Sequence, residues 1–328
     1  MGEFDLIARF FKRPARHAAL GIGDDCALLQ PAPGTQLAIS CDMLVAGRHF
    51  FADVSPHKLG HKALAVNLSD LAAMGAAPMA FTLALALPRV DEAWLAAFAE
   101  GLLALADAHG CALVGGDTTA GPLNLCLTVF GQVPAAQALR RDAAQAGDDL
   151  YVSGTLGDAC LALTGLLGQA PVDAQTLAQV RGRLERPTPR VALGLALRGV
   201  ARACADLSDG LLGDLGHILQ ASHLAAELEV DALLASAAVS SAVRALAPAQ
   251  RLRCVLAGGD DYELVFSAPP TARAAVQAAA QQSATPVTRI GRCVAAPGGS
   301  PRVRLCDRQG QDMALPAGLQ LAGYDHFA

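Results

Sequence analysis

The sequence predicts a mixed α/β (α+β) protein of two domains, and three observations support that fold class. Its 328 residues are too many for one small hydrophobic core and suit two domains. Strand-type and helix-type patterns alternate through both halves, as two α/β domains of similar size would require. The segments NLSDL and DLSDG, which begin at Asn67 and Asp206, echo each other across the halves. We expect a first domain over residues 1–135, a connector over 136–149 and a second domain over 150–328.

The first half begins with a helical pattern and continues as alternating helices and strands. Ser55 and Pro56 are typical of a helix start, as N-cap and first helical residue, and this helix runs toward Gly75. Asp91 caps a long helix that ends near Gly110. The apolar residues of the opening helix are Phe4, Ile7, Phe10 and Phe11, and the predicted strands are QLAIS, MAFTLALAL, CALVGG and LNLCLTVFGQV.

The second half repeats this alternation. Its predicted strands are DLYVSG, CADLSDG (which enters a turn), YELVF and TRIGRCV. Helices are predicted over residues 156–167 and over LLGDLGHIL, and the proline-punctuated segment RPTPR leads into another helix.

Composition excludes several classes of protein. A net charge of −5 and a pI near 5.9 argue against nucleic acid or an anionic membrane as a partner. Nine cysteines without a C-x-x-C pair indicate neither a zinc ribbon nor a disulfide framework. The uncharged stretch from Leu71 to Pro88 contains Gly75 and Pro78, so it is interpreted as a helix end, a turn and a strand. We expect a soluble, cytoplasmic protein with no membrane partner.

The usual phosphate-binding loops are absent from the sequence. No G-x-x-x-x-G-K-[ST] motif occurs, and no G-x-G-x-x-G motif opens a helix. Any nucleotide must therefore be held through metal ions and arginine.

Short aspartate-bearing turns recur along the chain instead. Several carboxylates in one pocket repel one another unless cations separate them, and Mg²⁺ prefers carboxylates, water and phosphate oxygens. This pattern suits multi-metal phosphoryl transfer. For any single turn the alternative stays open that aspartate is only a turn or helix-cap residue. The turns end at Asp25, Asp42, Asp70, Asp117, Asp209 and Asp261.

Three further residues have ordinary interpretations when taken alone. His49, flanked by apolar residues, and Tyr324, near the end of the chain, are typical of packing side chains. Arg141, within the connector, is typical of a solvated residue. Neither a Ser-His-Asp nor a Cys-His signature is supported by its context, and basic–aromatic interleaving for single-stranded nucleic acid is missing.

The ordered motifs GIGDDCALL, ISCDMLVAGRHF, KALAVNLSDLAAMGA, LVGGDTT, ADLSDGLLGDLGHI, GGDDYEL and GYDHF resemble the thiamine-monophosphate kinase family. The resemblance runs from Glu3 to Phe327. It implies the two-domain fold of aminoimidazole-ribonucleotide synthetase (PurM-like), with a homodimer built through the sheets of the N-terminal domains. It also implies ATP-dependent conversion of thiamine monophosphate to thiamine diphosphate, the last step in making that cofactor.

The resemblance also implies roles for individual residues. The implied ligands of several Mg²⁺ ions are Asp25, Ser40, Cys41, Asp42, Asp70, Asp117, Asp206 and Asp209, of which Asp42, Asp70 and Asp209 are the catalytic candidates. The implied ATP contacts are Gly116, Asp117, Arg141 and Ser208. The implied substrate contacts are His49, Asp260 and Tyr324.

Two positions depart from the family pattern. The usual STD is SCD here, so Cys41 can serve Mg²⁺ well through its carbonyl but only weakly through a soft thiol. The usual GGEDYEL is GGDDYEL here, so Asp260 is one methylene shorter than glutamate, and its substrate contact is either direct or water-mediated.

The resemblance predicts direct in-line phosphoryl transfer without a phosphorylated enzyme. Two alternatives stay open at this stage. One is a metal- and nucleotide-binding regulator without catalysis, and the other is a different ATP-dependent synthetase of the same superfamily. Turnover of ATP with thiamine monophosphate separates them.

Overall fold

The structure, a computed structural model, describes residues 2–15, 18–296, 301–316, 319 and 321. The chain divides into two compact units, each with its own sheet. The first comprises Met1–Leu71 and Ala76–Ala136, and the second comprises Ala72–Gly75 and Gln137–Ala328. This architecture confirms the predicted mixed α/β fold class.

The first unit is built around a four-stranded sheet in the order β3 (Thr35–Val45), β6 (Asn124–Pro134), β4 (Ala77–Leu87) and β5 (Ala112–Ala120). Strand β6 runs antiparallel to β3 and β4, whereas β4 and β5 are parallel, so β3 forms one edge of the sheet. The elements are α1 (Glu3–Phe10), β1 (Ala18–Leu20), β2 (Leu28–Leu29), β3 (Thr35–Val45), α2 (Pro56–Ala73), β4 (Ala77–Leu87), α3 (Glu92–Ala108), β5 (Ala112–Ala120) and β6 (Asn124–Pro134).

Local sequence signals set the ends of these elements. Helix α2 begins at Pro56, and the carboxylate of Asp91 accepts the Trp94 N–H at 3.0 Å where α3 begins. Gly75 adopts a left-handed φ of 62° between α2 and β4, as the tight reversal requires. The uncharged stretch is therefore a helix end, a turn and a strand, as predicted.

Two glycines let α2 and α3 approach closely. A Cβ at Gly60 would lie 2.1 Å from the carbonyl oxygen of Phe98, and one at Gly101 would lie 1.9 Å from that of His57. Either distance is impossible for a real side chain, so the helix crossing depends on both glycines. The ring of Phe98 is fully buried in this layer, and so is that of Phe81 on β4.

The second unit contains a six-stranded sheet in the order β12 (Val303–Cys306), β9 (Leu224–Glu229), β11 (Val287–Ala295), β7 (Asp149–Ser153), β10 (Leu264–Ala268) and β8 (Ala203–Asp206). All neighbours are antiparallel except β12 and β9. Its elements are the 3₁₀ turn Arg141–Ala143, β7 (Asp149–Ser153), α4 (Asp158–Leu166), α5 (Ala174–Glu185), α6 (Val191–Ala196), β8 (Ala203–Asp206), α7 (Leu211–Ser222), β9 (Leu224–Glu229), α8 (Val230–Ala235), α9 (Ser241–Arg244), α10 (Pro248–Ala257), β10 (Leu264–Ala268), the 3₁₀ turn Pro270–Ala272, α11 (Arg273–Gln282), β11 (Val287–Ala295) and β12 (Val303–Cys306).

Strands β7 and β10, which are neighbours in the interior of this sheet, are buried at every residue. Both faces of the sheet are therefore covered at its centre, which explains why these strands appear in the sequence as continuous apolar runs without alternation. Among the described residues, no helix combines the length and apolarity that a membrane crossing requires.

Candidate active site

Three of the predicted metal-binding residues lie together on β3 and α2. The Ser40 hydroxyl donates to Asp70 Oδ2 at 2.5 Å, and the Asp42 backbone N–H donates to Asn67 Oδ1 at 3.1 Å. Ser40 and Asp42 share one face of the strand, and Asn67 and Asp70 share the helix face opposite. The buried Asn67 amide, which the sequence did not predict to have a role, therefore fixes the strand against the helix.

Cys41 lies on the other face of β3. Its Sγ is 3.3 Å from the Sγ of Cys126 on β6. Burial and the bond to Cys41 raise the pKa of the Cys126 thiol to about 11, so it is protonated at neutral pH. Because successive side chains on a strand point to opposite faces, the Cys41 thiol points away from Ser40 and Asp42. Cys41 could contribute to a metal site on that face only through its carbonyl.

A cavity of about 720 Å³ lies in the first unit and is lined by α1, the turn after β1 and the beginning of β5. The predicted residues Asp25, Gly116 and Asp117 belong to its lining. At Gly116, where φ is 149°, a Cβ would lie 1.9 Å from the carbonyl oxygen of Leu83, so only glycine fits. The cavity thus combines apolar helix side chains with carboxylates and bare backbone, a suitable lining for a small polar ligand.

His49 follows β3 and is half-buried. Its Nδ1 accepts the backbone N–H of Val45 at 3.0 Å, and its carbonyl accepts a bond from the buried Lys62 Nζ at 3.4 Å. With Nδ1 acting as an acceptor, the neutral imidazole carries its proton on Nε2. The ring therefore donates from Nε2, and local bonds fix its orientation.

In the second unit, a turn over residues 206–210 leads from β8 into α7. Its first residue, Asp206, is buried and lies opposite Leu264 of β10. The carboxylate of Asp214 accepts the backbone N–H groups of Asp209 and Gly210 at 3.0 and 3.1 Å. Burial raises the pKa of Asp214 to about 7. Asp214 was not predicted to have a role, although an acidic residue in the first turn of a helix is a recognisable signal.

Arg141 begins the 3₁₀ turn that contacts α7. Its carbonyl accepts the hydroxyl of Ser222 at 2.8 Å, and its side chain is exposed. Burial is the main influence on the pKa of Asp214 and raises it, whereas the positive charge of Arg141 lowers it. The guanidinium is therefore within electrostatic reach of the 206–210 turn, which carries Ser208.

The twin aspartates of the 258–263 loop occupy different environments. Asp260 is half-buried, whereas Asp261 is 2% exposed and both its carboxylate oxygens lie 3.0 Å from the Gly157 backbone nitrogen. Burial raises the pKa of Asp261 well above its usual range. The adjacent carboxylates therefore do not form one cation site, because Asp261 is an internal hydrogen-bond acceptor.

The predicted site residues thus form separate groups. Ser40, Asp42 and Asp70 lie together, and the described lining of the 720 Å³ cavity includes none of them. Within the part of the chain that the structure describes, no three His, Cys, Asp or Glu side chains are already arranged around a metal position. The hydroxyl and carboxylate oxygens of the first group are nevertheless the hard donors that Mg²⁺ prefers. Tyr324 lies outside the described residues.

Models of known protein domains match both units. Residues 23–133 match the N-terminal domain of AIR synthase related proteins, and residues 145–304 match the C-terminal domain. The fold and the acidic loops therefore define a two-domain protein of the AIR synthase related class.

Comparison with individual proteins narrows this class. The thiamine-monophosphate kinase of Salmonella typhimurium is 48% identical over 332 residues, covering 100% of this chain and 98% of the relative. The crystal structure of thiamine-monophosphate kinase from Stenotrophomonas maltophilia K279a is 47% identical, with a TM-score of 0.81 over 94% of this chain and 96% of that one. AaThiL complexed with AMPPCP and TMP is 26% identical, with a TM-score of 0.75 over 91% and 89%. The chain belongs to the thiamine-monophosphate kinase family, as its motifs predicted.

Proposed function

We propose that this protein transfers the terminal phosphoryl group of ATP to thiamine monophosphate, forming thiamine diphosphate and ADP. The observation that carries the proposal is the 48% identity to a thiamine-monophosphate kinase over the whole chain. The AaThiL complex supports it, because a relative with this fold holds AMPPCP and TMP together. The reaction would be the last step in making thiamine diphosphate.

The acceptor needs little activation. A phosphate monoester has a second pKa near ~6, so the attacking oxygen of thiamine monophosphate is already largely ionised at neutral pH. The remaining difficulty is the repulsion between two anions. We therefore assign the chain's carboxylates to cation binding rather than to proton abstraction.

Several Mg²⁺ ions are part of this proposal. Ser40, Asp42 and Asp70 would hold one ion, since the hydroxyl of Ser40 already contacts Asp70 and the Asp42 backbone is fixed by Asn67. When bound, Mg²⁺ supplies positive charge that neutralises the β- and γ-phosphate oxygens during transfer. The further proposed ligands are Asp25, Asp117, Asp206, Asp209 and the Cys41 carbonyl.

The protein's own groups bind and orient the two substrates. The cavity that contains Asp25, Gly116 and Asp117 in the first unit is proposed to hold part of ATP. Ser208 and Arg141 in the second unit are the other proposed ATP contacts. On the acceptor side, His49 can donate from Nε2 to an oxygen of thiamine monophosphate. Asp260 and Tyr324 complete the proposed substrate contacts. Transfer is direct and in line, with no phosphorylated side chain.

A turnover assay tests the proposal. Purified protein is incubated with ATP, thiamine monophosphate and MgCl₂, and thiamine diphosphate and ADP are quantified by chromatography. We expect equal amounts of the two products, with little ADP when thiamine monophosphate is omitted. Tight binding of both compounds without turnover would instead indicate the non-catalytic regulator.

We also propose a homodimer formed through the first unit. Edge strand β3 exposes apolar side chains at every second position, with Ile39 61% and Met43 55% exposed. An open apolar edge strand is a surface that proteins usually cover. A second copy of the chain, packed sheet against sheet, would bury it.

The functional domains and the cellular location complete the proposal. Residues 1–135 would serve ATP and Mg²⁺ binding and dimerisation, with a connector at 136–149 and a second domain at 150–328. None of the nine cysteines forms a disulfide, which supports a cytoplasmic location.

A further inference from the structure

Two loops of the second unit, each carrying residues of the proposed site, are bonded directly to each other. The Asp260 N–H donates to the Ser208 carbonyl and the Tyr262 N–H donates to the Leu207 carbonyl, both at 2.8 Å. In return, the Leu207 N–H donates to the Glu263 carbonyl at 2.8 Å. The 206–210 turn and the 258–263 loop therefore share three backbone hydrogen bonds.

The 258–263 loop holds a conformation that a free chain rarely adopts. Asp260 has a φ of 65° and Tyr262 a φ of 49°, both in the left-handed region. For residues other than glycine this conformation is unfavourable and persists only where the surroundings impose it. Asparagine and aspartate tolerate this region best, so Tyr262 in particular needs external support.

That support comes from a buried carboxylate at the end of the loop. Glu263 is completely buried and accepts bonds from Ser153 Oγ at 2.6 Å and Arg183 Nη2 at 2.7 Å. Arg190 adds two more, from Nε at 2.6 Å and Nη2 at 2.5 Å. A buried carboxylate with this many charged donors is rigidly fixed.

Arg183 does more than neutralise Glu263. From α5, its Nη2 also donates to the carbonyl oxygen of Asp261 at 3.0 Å. One guanidinium therefore joins a buried anchor, Glu263, to the backbone immediately after Asp260. Arg190 contacts the carboxylate of Glu263 from the segment before α6.

We propose that Arg183 is a positioning residue, which fixes the left-handed loop so that Asp260 stays at one position relative to Ser208. Arg183 would thereby keep the 258–263 loop, proposed to contact thiamine monophosphate, in a fixed position relative to the 206–210 turn, proposed to contact ATP. The kinetic part of this inference rests on the proposed function. The structural part does not, because it concerns bonds within the second unit.

The chain offers a matched control. Asp149 is also a buried carboxylate shared by two arginines, Arg273 and Arg289. Replacing Arg183 or Arg273 with methionine removes one of two arginines in each case and leaves the carboxylate paired. Only the first change removes a bond to the 258–263 loop. Arg183→Lys serves as the conservative variant, since it keeps the positive charge but replaces the guanidinium, whose Nη2 makes both bonds, with an ammonium on a shorter side chain.

The experiment combines kinetics with hydrogen exchange on the full-length chain. In R183M we expect kcat/KM for thiamine monophosphate to fall at least about tenfold, while KM for ATP changes less than about threefold. R183K should recover part of the loss, and R273M should behave like the wild type. Amide exchange measured by mass spectrometry should rise about tenfold in the peptide covering residues 258–264 of R183M, and not in R273M.

The two readouts separate the possible failures. If R183M matches R273M in exchange, or if exchange rises without a kinetic effect, the positioning role is wrong. If the wild-type protein forms no thiamine diphosphate, the proposed function fails, and the exchange comparison alone then decides whether Arg183 holds the loop.

Discussion

Replacing Asp70 with asparagine removes the negative charge of this side chain and keeps nearly the same shape. Asp70 Oδ2 accepts the Ser40 hydroxyl at 2.5 Å, and an asparagine Oδ1 can accept the same bond. A hydrogen bond with a charged partner contributes roughly 1.5–3 kcal/mol, against roughly 0.5–1.5 kcal/mol for a neutral pair. We therefore expect D70N to lose about 1 kcal/mol of folding free energy, which lowers the unfolding midpoint by only a few degrees.

The effect on turnover should be far larger. A partner that only orients a metal ligand typically changes affinity or activity about 10- to 100-fold, and Asp70 is proposed to bind the ion itself. We expect the MgCl₂ concentration for half-maximal activity to rise at least tenfold in D70N, with a lower rate at saturation. The assay measures thiamine diphosphate formation over a series of MgCl₂ concentrations at fixed ATP and thiamine monophosphate.

The control is Asp91→Asn, which changes a carboxylate that caps α3 through the Trp94 N–H. It should lose a comparable amount of stability, at most about 1 kcal/mol, and should keep the wild-type dependence on MgCl₂. If D70N and D91N show the same activity at every MgCl₂ concentration, the reasoning from Asp70 to the metal is refuted.

Three further predictions follow from the structure. Because the Cys41 thiol faces Cys126, Cys41→Thr should change the MgCl₂ concentration for half-maximal activity by less than about twofold. A tenfold change in that concentration would instead indicate that the side chain at position 41 binds the metal. Burial raises the pKa of Asp261 in the folded protein. The folded state therefore keeps a proton that the unfolded state releases above about pH 4. As a result, the free energy of unfolding decreases as the pH rises toward the pKa of the folded state. Asp261→Asn should remove this decline, so the unfolding midpoint of the variant minus that of the wild type should increase between pH 4.5 and 8. If this difference stays constant with pH, the raised pKa of Asp261 is contradicted. Ile39→Asp should yield monomers in analytical ultracentrifugation, whereas Val90→Asp, at a loop residue 52% exposed, should not; two identical sedimentation profiles would contradict the proposed interface.

Local signals predicted most of the elements that carry the site. The serine–proline pair before α2, the aspartate cap of α3 and the glycine after α2 act over a few residues, so their consequences can be inferred from neighbours in the sequence. Strands β9 and β12 were not predicted. Their sequences, LAAELE and VRLC, carry little strand signal of their own, and pairing with distant strands defines them.

The roles within the site depended more on contacts that are remote in sequence. Asp260 and Asp261 look equivalent as neighbours, yet Asp261 is buried against Gly157, which lies 104 residues earlier. Similarly, Asn67 and Arg183 were not predicted, because their partners Asp42 and Glu263 lie 25 and 80 residues away. Cys41 was a partial exception, since strand alternation already implies that its thiol and the Asp42 carboxylate face opposite ways.

A rapid-quench experiment with ATP labelled at the γ-phosphate tests the kinase assignment most directly. We predict that the label passes from ATP to thiamine diphosphate in step with ADP formation, only when Mg²⁺ is present, and that none is found on the protein. Label trapped on the protein or released as free phosphate would contradict direct transfer between the two anions.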